Sequence, residues 1–463
     1  MARVFLLNPP SPEPVRTPLL AFGYLAAALE RAGHAVALLD ASASHALTDP
    51  EGIEQTIAAF APDLVGLHIK TLHVQPAYAL ARRLSQRWPL CAGGPHPTVV
   101  PIEPLAHGFR YSLRGEGDET LCELADALDG RRRFDTIPGL LFLCSDGAMK
   151  INPPRNFILD LDSLASPLSA LHHFDPTWYG AAQPIPYGGL LSSRGCPAAC
   201  TFCSNDVTGR RFRYRSAQSV AEEVRALHEQ YGAQAFVFFD DSFAVGRRRM
   251  EELGEALARV GRIGWSCTAH PAHLDPATLR HMKRAGCGGI DIGMESADPE
   301  RLLCIGKGVT VERVYQVIDW CREAGLHIVV NLMFGWPEET PRELERAIAF
   351  LERAGQAGAL FNARGVLVPY PGTPIYEQNH SRYGFTEWWL REAPLTYTPF
   401  PTEWSQSEVL RAYAEDAALH RNYFRHPREV RTLIAEALRQ KAERTYEQLL
   451  GPKKMSVPAA GAR

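Results

Sequence analysis

The chain has 463 residues, is 46% hydrophobic, and sets 49 Lys and Arg against 52 Asp and Glu, a formal charge of −3. That length fits two or three domains with a large apolar core. The near-balanced charge excludes electrostatic capture of nucleic acid or of an anionic membrane as the basis of function, and no apolar run reaches the length of a membrane span.

The first residues, Met-Ala-Arg-Val-Phe-Leu-Leu-Asn, enter a strand-like run at once, which predicts a cytoplasmic protein without a secretory leader. Over residues 1–140 short apolar runs alternate with helical patterns. Strands are expected at Val4–Asn8, Ala35–Asp40, Asp63–His68, Leu90–Gly94 and Tyr111–Arg114, and helices at Pro18–Ala32, Gly52–Phe60, Gln75–Trp88 and Glu119–Leu128. The alternation predicts a flavodoxin- or Rossmann-like parallel sheet with helices on both faces. Ligands of such sheets sit beyond the carboxyl ends of the strands. Those ends carry Asn8-Pro9-Pro10, Thr71, Gly93-Gly94-Pro95-His96 and Gly115-Glu116-Gly117-Asp118-Glu119-Thr120. Paired glycines let the backbone approach a bulky ligand. A domain that binds nothing, or that serves as a dimer surface, fits the same pattern.

Residues 141–186, rich in Pro, Asp and aromatics, read as a connector. Trp178, Tyr179 and His172-His173 are candidates to line a cleft between modules. Over 187–375 strand-like runs recur at Gly188–Ser193, Ala235–Asp240, Gly264–Ala269, Gly289–Met294, His327–Phe334 and Phe361–Val368. Helical patterns separate them at Ser219–Tyr231, Arg248–Val260, Pro276–Ala285, Val311–Ala324 and Arg342–Ala354. Six β/α units predict a partial barrel with its chemistry at the carboxyl ends of the strands.

The loop after the first of these strands, residues 194–205, reads Arg-Gly-Cys-Pro-Ala-Ala-Cys-Thr-Phe-Cys-Ser-Asn. Cys196, Cys200 and Cys203 stand in the spacing C-x3-C-x2-C, suited to holding three irons of a four-iron cubane with one iron open. Structural zinc normally takes four protein ligands, and no fourth Cys or His follows at zinc spacing. The other seven cysteines are scattered, and buried thiol is the expectation for each. Of the adjacent Asp240 and Asp241 at the second strand end, one faces the barrel mouth, since successive side chains alternate; a helix cap or a surface pair is the other reading. Glu295 in Gly293-Met294-Glu295-Ser296 can accept hydrogen bonds from ribose hydroxyls, and Thr340 in Phe334-Gly335-Trp336-Pro337-Glu338-Glu339-Thr340 can cap the helix that follows.

The cysteine loop resembles the C-x3-C-x-aromatic-C signature of the radical S-adenosylmethionine (SAM) enzymes, with Phe202 in the aromatic position. The resemblance implies a [4Fe-4S] cluster held by Cys196, Cys200 and Cys203, with SAM on the open iron, cleaved after one-electron reduction to a 5′-deoxyadenosyl radical. It implies that Asp240 or Asp241 holds the SAM amino group and that Phe202, Glu295 and Ser296 belong to the SAM site. Residues 1–140 resemble the cobalamin-binding domain that precedes many such modules, through Leu7-Asn8-Pro9-Pro10, Pro62-Asp63-Leu64-Val65-Gly66, Gly93-Gly94-Pro95-His96-Pro97-Thr98 and Gly115-Glu116-Gly117-Asp118-Glu119-Thr120. That resemblance makes Asn8, Gly93, Gly94, Gly115, Glu116 and Gly117 cofactor contacts. D-x-H-x-x-G is absent, so cobalt gains no axial histidine from that motif, and His96 is expected to shape its loop or touch the cofactor tail.

Together these imply a cobalamin-binding domain (1–140), a connector (141–186), a partial (β/α)6 radical SAM barrel (187–375) and a small helical C-terminal domain (376–463). The implied activity is methyl transfer from methylcobalamin to an unactivated carbon of a small, apolar or planar substrate. The electron donor would be of flavodoxin or ferredoxin type. Cyclisation or ring rearrangement by the same modules is the alternative, and a cobalamin sensor with a structural cluster is the reading from another class. Near the C-terminus, Trp388, Trp389, Tyr397, Phe400 and Trp404 read as core or as substrate-pocket lining, followed by helices at Gln406–Phe424 and Pro427–Leu450.

Overall fold

The computed structural model describes all residues except 12–14, 188, 362–364, 393–406, 409–410, 412–419 and 451–463. The first sheet holds seven strands: β1 (Arg3–Asn8), β2 (Ala35–Asp40), β3 (Leu64–His68), β4 (Leu90–Gly93), β5 (Tyr111–Leu113), β6 (Leu140–Leu143) and β7 (Met149–Ile151). Their spatial order is β2-β1-β3-β4-β5-β6-β7. β1 to β5 pair in parallel, and their residues are buried on both faces because helices cover both sides. The order reverses between β1 and β3, so the ligand crevice of such a sheet opens between Asn8 and His68. β6 and β7 add an antiparallel edge that the sequence reading missed. Lys150 and Ile151 thus belong to a strand rather than to the connector. β7 is exposed throughout, which leaves no apolar alternation to read.

A short ribbon, β8 (Ser193–Arg194) with β9 (Arg213–Tyr214), frames the cysteine loop. The second sheet is five-stranded and parallel, in the order β10 (Ala235–Phe238), β11 (Gly264–Ala269), β12 (Cys287–Glu295), β13 (His327–Leu332), β14 (Leu360–Phe361). The expected sixth, leading strand is reduced. Gly188 lies outside the described residues, and Leu190 joins Phe238 through a single bridge before the chain turns into β8. On β12, Ile290, Ile292 and Met294 point into the core beneath the outer helices, while Gly289, Asp291 and Gly293 are half-buried on the other face.

The expected helical C-terminal region completes the barrel wall. The helix Arg428–Leu450 lays Val430, Ile434, Ala437, Leu438 and Ala442 into the barrel core. Its Lys441, fully buried, donates to the Leu332 carbonyl at 2.9 Å. Trp388 and Trp389 are core residues packed on the first domain, where Trp389 Nε1 donates to Glu103 at 2.9 Å. Tyr397, Phe400, Trp404 and most of the helix expected over Gln406–Phe424 lie outside the described residues. No helix among the described residues is long and apolar enough to cross a membrane.

Candidate active site

The cysteine loop is held by backbone. The Cys196 amide donates to the Gly209 carbonyl at 3.1 Å, and the Thr201 amide to the Ile305 carbonyl at 2.9 Å. Gly195 turns the chain at φ +87°, where an added Cβ would strike Arg211. Cys196, Cys200 and Cys203 line one cavity of about 230 Å³ with Asn205, Gly209 and Gly372, and no fourth Cys or His lines it. A single zinc at 2.3 Å bonds needs its sulfurs within about 4.6 Å of one another. Among the described residues the one set of three potential ligands that converges within 4.8 Å is Glu30, His172 and His173, outside this loop. Three thiols that share a cavity without converging fit a cubane, where each binds its own iron. Burial pushes the Cys200 thiol up, and the Lys307 ammonium pulls it back down.

The barrel strand ends surround that loop. Asp240 is buried and accepts from the Ser192 amide at 2.8 Å and from the Ser192 and Ser193 hydroxyls at 2.5 Å, with Arg249 3.5 Å away. Burial raises its carboxyl against the pull of Arg249. Asp241 is exposed; its Oδ2 accepts from the Gly195 amide at 2.9 Å and from Thr208 Oγ1 at 2.7 Å. Glu295 ends β12 with φ +71°, and its Oε1 accepts from Lys307 Nζ at 3.0 Å. Gly293 is required beneath it, because Glu295 Oε1 and Lys307 Nζ lie where a Cβ would stand. Ser296 is buried, and its Oγ accepts from the Asp298 amide at 3.1 Å, in the turn into the helix Pro299–Cys304. Phe202 packs edge-on against Trp336 with centroids 5.5 Å apart. Thr340 caps the helix Pro341–Gln356 through a capping box with Glu343. Burial lifts Glu339 in the same turn to about 8, although it accepts from the Gly335 amide at 2.6 Å.

A second cleft, about 340 Å³, opens at the carboxyl ends of β1, β3, β4 and β5. Gly93, Gly94, Gly115, Glu116 and Gly117 line it, over apolar walls such as Leu6, Phe22, Leu67 and Leu113. A Cβ at Gly93 or Gly115 would meet nothing within 4 Å, whereas one at Gly94 (φ +107°) would press on His68. The far wall comes from the barrel domain: Leu191, Arg194, Val207, Thr208 and Phe239. A buried ion cluster joins the two walls. Arg194 Nη1 donates to Glu116 and Asp118, both at 2.9 Å, and Arg213 donates to Glu116 at 2.8 Å. Glu116 also accepts from the Ile158 amide at 2.9 Å.

Family models agree with this division. One described as the radical SAM superfamily matches residues 190–351, and one described as a B12 binding domain matches residues 15–125. A Pyrococcus horikoshii protein called uncharacterized methyltransferase PH0819 is 31% identical over 388 residues, covering 81% of this chain and 82% of that one. This chain is a cobalamin-binding radical SAM enzyme. Its cofactors are a [4Fe-4S] cluster, SAM and cobalamin. A second relative, the cytidylyl-2-hydroxyethylphosphonate methyltransferase of Streptomyces wedmorensis, is 27% identical over 79% of this chain and 80% of its own. The fold matches TsrM, a radical SAM methyltransferase from Kitasatospora setae solved with cobalamin and a [4Fe-4S] cluster, at a TM-score of 0.65 and 22% identity, over 83% of this chain and 75% of that one.

In this radical SAM enzyme Cys196, Cys200 and Cys203 line one cavity, Phe202 sits in the same loop, and Asp241 accepts from the loop's Gly195 amide. The glycine-rich strand ends lie together in the cleft. Asn8 is buried one layer behind it, bonded to Asp40 and Ser42. His96 shapes its loop and does not reach the cleft: Nδ1 meets Thr71 at 3.1 Å and Nε2 meets Glu103 at 2.9 Å. The connector residues do not line the cleft either. Tyr179 donates to Asp40 at 2.9 Å, and His173 pairs with Glu30 at 2.8 Å. Cys304 is exposed rather than buried, because it ends a short helix at the surface. The sequence reading missed His68, Arg194, Lys307 and Phe239. His68 and Phe239 stood at the ends of expected strands and Arg194 opened the cysteine loop, whereas Lys307 carried no signal.

Proposed function

We propose that this enzyme is a C-methyltransferase that methylates an unactivated carbon of a small molecule. We further propose that it works in the cytoplasm with a flavodoxin- or ferredoxin-type electron donor. The observation that carries the reading is the shared cleft: the glycine-rich ends of the cobalamin domain face Leu191, Arg194, Val207 and Thr208, which flank the cysteine loop on both sides. The methyltransferase names of its relatives support it.

When bound, SAM at the reduced cluster supplies a hydrogen-abstracting radical and cobalamin supplies the methyl group. The chain itself binds, orients and excludes water. The thiolates of Cys196, Cys200 and Cys203 hold the cluster and leave one iron open. Asp240 pins the loop through Ser192 and Ser193, and Asp241, exposed at the mouth, takes the SAM amino group. Glu295, its carboxylate steadied by Lys307, takes the ribose, with Phe202 and Ser296 beside it. Gly93, Gly94, Gly115 and Gly117 let backbone approach the corrinoid, and Arg194 with Glu116 and Asp118 keeps the two domain faces opposed.

The test is anaerobic reconstitution with methyl-labelled SAM and candidate metabolites. Methyl transfer puts the label on a carbon of the product. Product formation with no label incorporated would replace methylation by cyclisation or rearrangement. SAM left uncleaved by reduced, cluster-loaded protein would favour a sensor.

A further inference from the structure

The connector returns to the first domain along the helix Leu20–Arg31. The short helix Pro167–His173 packs against it, with Ala170, Leu171 and Phe174 buried in the same core as Ala26 and Leu29. Those contacts clamp the chain on both sides of His172 and His173, so the two rings are delivered to a fixed place. Glu30, in the last turn of the longer helix, meets them there. None of the three lines the cysteine cavity or the glycine-rich cleft.

Three ligand atoms converge. Glu30 Oε1 lies 2.8 Å from His173 Nε2 and 3.5 Å from His172 Nε2, and the three residues bring their ligand atoms within 4.8 Å of one another. Tetrahedral zinc with bonds of about 2.0–2.1 Å holds its ligand atoms about 3.3 Å apart. The two contacts bracket that spacing. The tautomer of His172 is also set. Its Nδ1 lies 2.9 Å from the Ser169 carbonyl. A carbonyl only accepts, so Nδ1 carries the proton and Nε2 turns a lone pair towards the carboxylate. Two acceptors that face each other call for a cation. A proton would bridge one nitrogen to the oxygen, whereas a divalent cation takes all three atoms at once. A backbone carbonyl on the far nitrogen is also the outer support that metal-bound histidines usually have, because it fixes the ring's orientation. The neighbouring Arg31 is engaged by the Ser163 carbonyl at 2.7 Å, and His172 is exposed, which leaves a fourth position to water.

We infer that Glu30, His172 and His173 form a zinc site that ties the connector to the first domain. Two imidazoles and one carboxylate suit zinc better than magnesium or calcium, which take oxygen ligands. The role of the ion is structural. The helix that carries Glu30 also supplies Leu20, Phe22 and Tyr24 to the cleft wall, and the ion fastens that helix to the segment leading into the barrel.

The test uses full-length, anaerobically cluster-loaded protein. The probe is zinc itself, competed against a chromophoric chelator. One zinc per chain should bind in addition to the cluster iron, with a dissociation constant below about 1 μM. The zinc X-ray absorption edge is separate from that of iron, so its fine structure reads the ligands. It should show nitrogen or oxygen at about 2.0–2.1 Å with imidazole scattering, and no sulfur at about 2.3 Å. Loss of an outer partner alone costs about 10–100-fold in metal affinity, so His172→Ala and Glu30→Gln should each cost at least about a hundredfold. His172→Cys keeps three ligands and alters an exposed position; it should hold zinc and add one sulfur at about 2.3 Å. Hydrogen exchange of the 167–173 amides should slow when zinc is added to wild type, and not when it is added to His172→Ala. Sulfur in the wild-type zinc shell, a site weaker than about 1 μM, affinity unmoved by either loss variant, or magnesium bound as tightly as zinc would overturn the inference. So would exchange at 167–173 that is indifferent to zinc.

Discussion

The three cysteines proposed to hold the cluster fall between residues 196 and 203 on one loop, whereas the walls of the cleft proposed for cobalamin come from segments that run from Leu6 to Phe239. The first site is made of a few strong bonds. The second is made of many weak contacts and of side chains that are missing, at Gly93 and Gly115 above all. Strong, local ligation should fail completely when its ligands go and be indifferent to the rest of the fold. A distributed cleft should tolerate the loss of a contact and fail when it is filled.

The largest effect tests the local side. Changing Cys196, Cys200 and Cys203 together to Ala should remove all of about four irons and four sulfides per chain, while cobalamin titration stays as in wild type. Iron and sulfide analysis reads the first and absorbance the second. Zinc without sulfide in anoxic wild-type protein would replace the cluster.

Next is the ion cluster on which both sites lean. Arg194→Met leaves Asp118 buried without its arginine, while Glu116 keeps Arg213, a change that costs about 3–5 kcal/mol of stability. Denaturant titration measures it. Cobalamin and cluster occupancy should fall together, which would break the independence of the two sites. A loss below about 1 kcal/mol would mean that the domains are held by their apolar contacts alone.

Gly93→Leu fills the cleft without straining the backbone, because its Cβ points into open space. Overfilling costs about 1–3 kcal/mol, so cobalamin affinity should drop up to about a hundredfold with the cluster intact. Unchanged affinity would put the cofactor elsewhere.

Glu295→Gln keeps the shape at the end of β12 and removes a charge-assisted hydrogen bond. SAM affinity should fall about tenfold, with iron content unaltered. Equal affinity would remove Glu295 from the SAM site.

A further effect lies outside both sites. Burial lowers the Lys441 pKa to about 7, against the opposing pull of Glu295 and Asp291. The unfolded chain then binds more protons than the folded one between about pH 7 and about 10, so stability should rise with pH across that window. Lys441→Met should flatten the slope. A slope unchanged by that substitution would assign it to another group.

Much of the architecture was legible because its signals are periodic. β2 and β11 fall on their expected bounds, and the barrel helices start within two residues of theirs. The failures are elements with little internal pattern. β6 and β7 pair at a sheet edge, and the leading barrel strand survives as a bridge at Leu190. Asp240 and Asp241 were indistinguishable as neighbours in sequence; Ser192, Ser193 and Arg249 bury one and leave the other at the mouth. Glu116 was expected to touch a cofactor, and Arg194 and Arg213, some eighty and a hundred residues away, hold it in the wall of the cleft.

By itself the sequence determined the order of the two domains and pointed to the proposed cluster site. A C-x3-C-x2-C loop carries its ligands within its own reach, and strand and helix periods are set by backbone geometry. Only the tertiary structure decided which of the two carboxylates is buried and which is exposed, and which arginines occupy Glu116. Each of those depends on acceptors and donors brought together from distant segments, and a hydrogen bond forms only where its partner stands within about 3 Å.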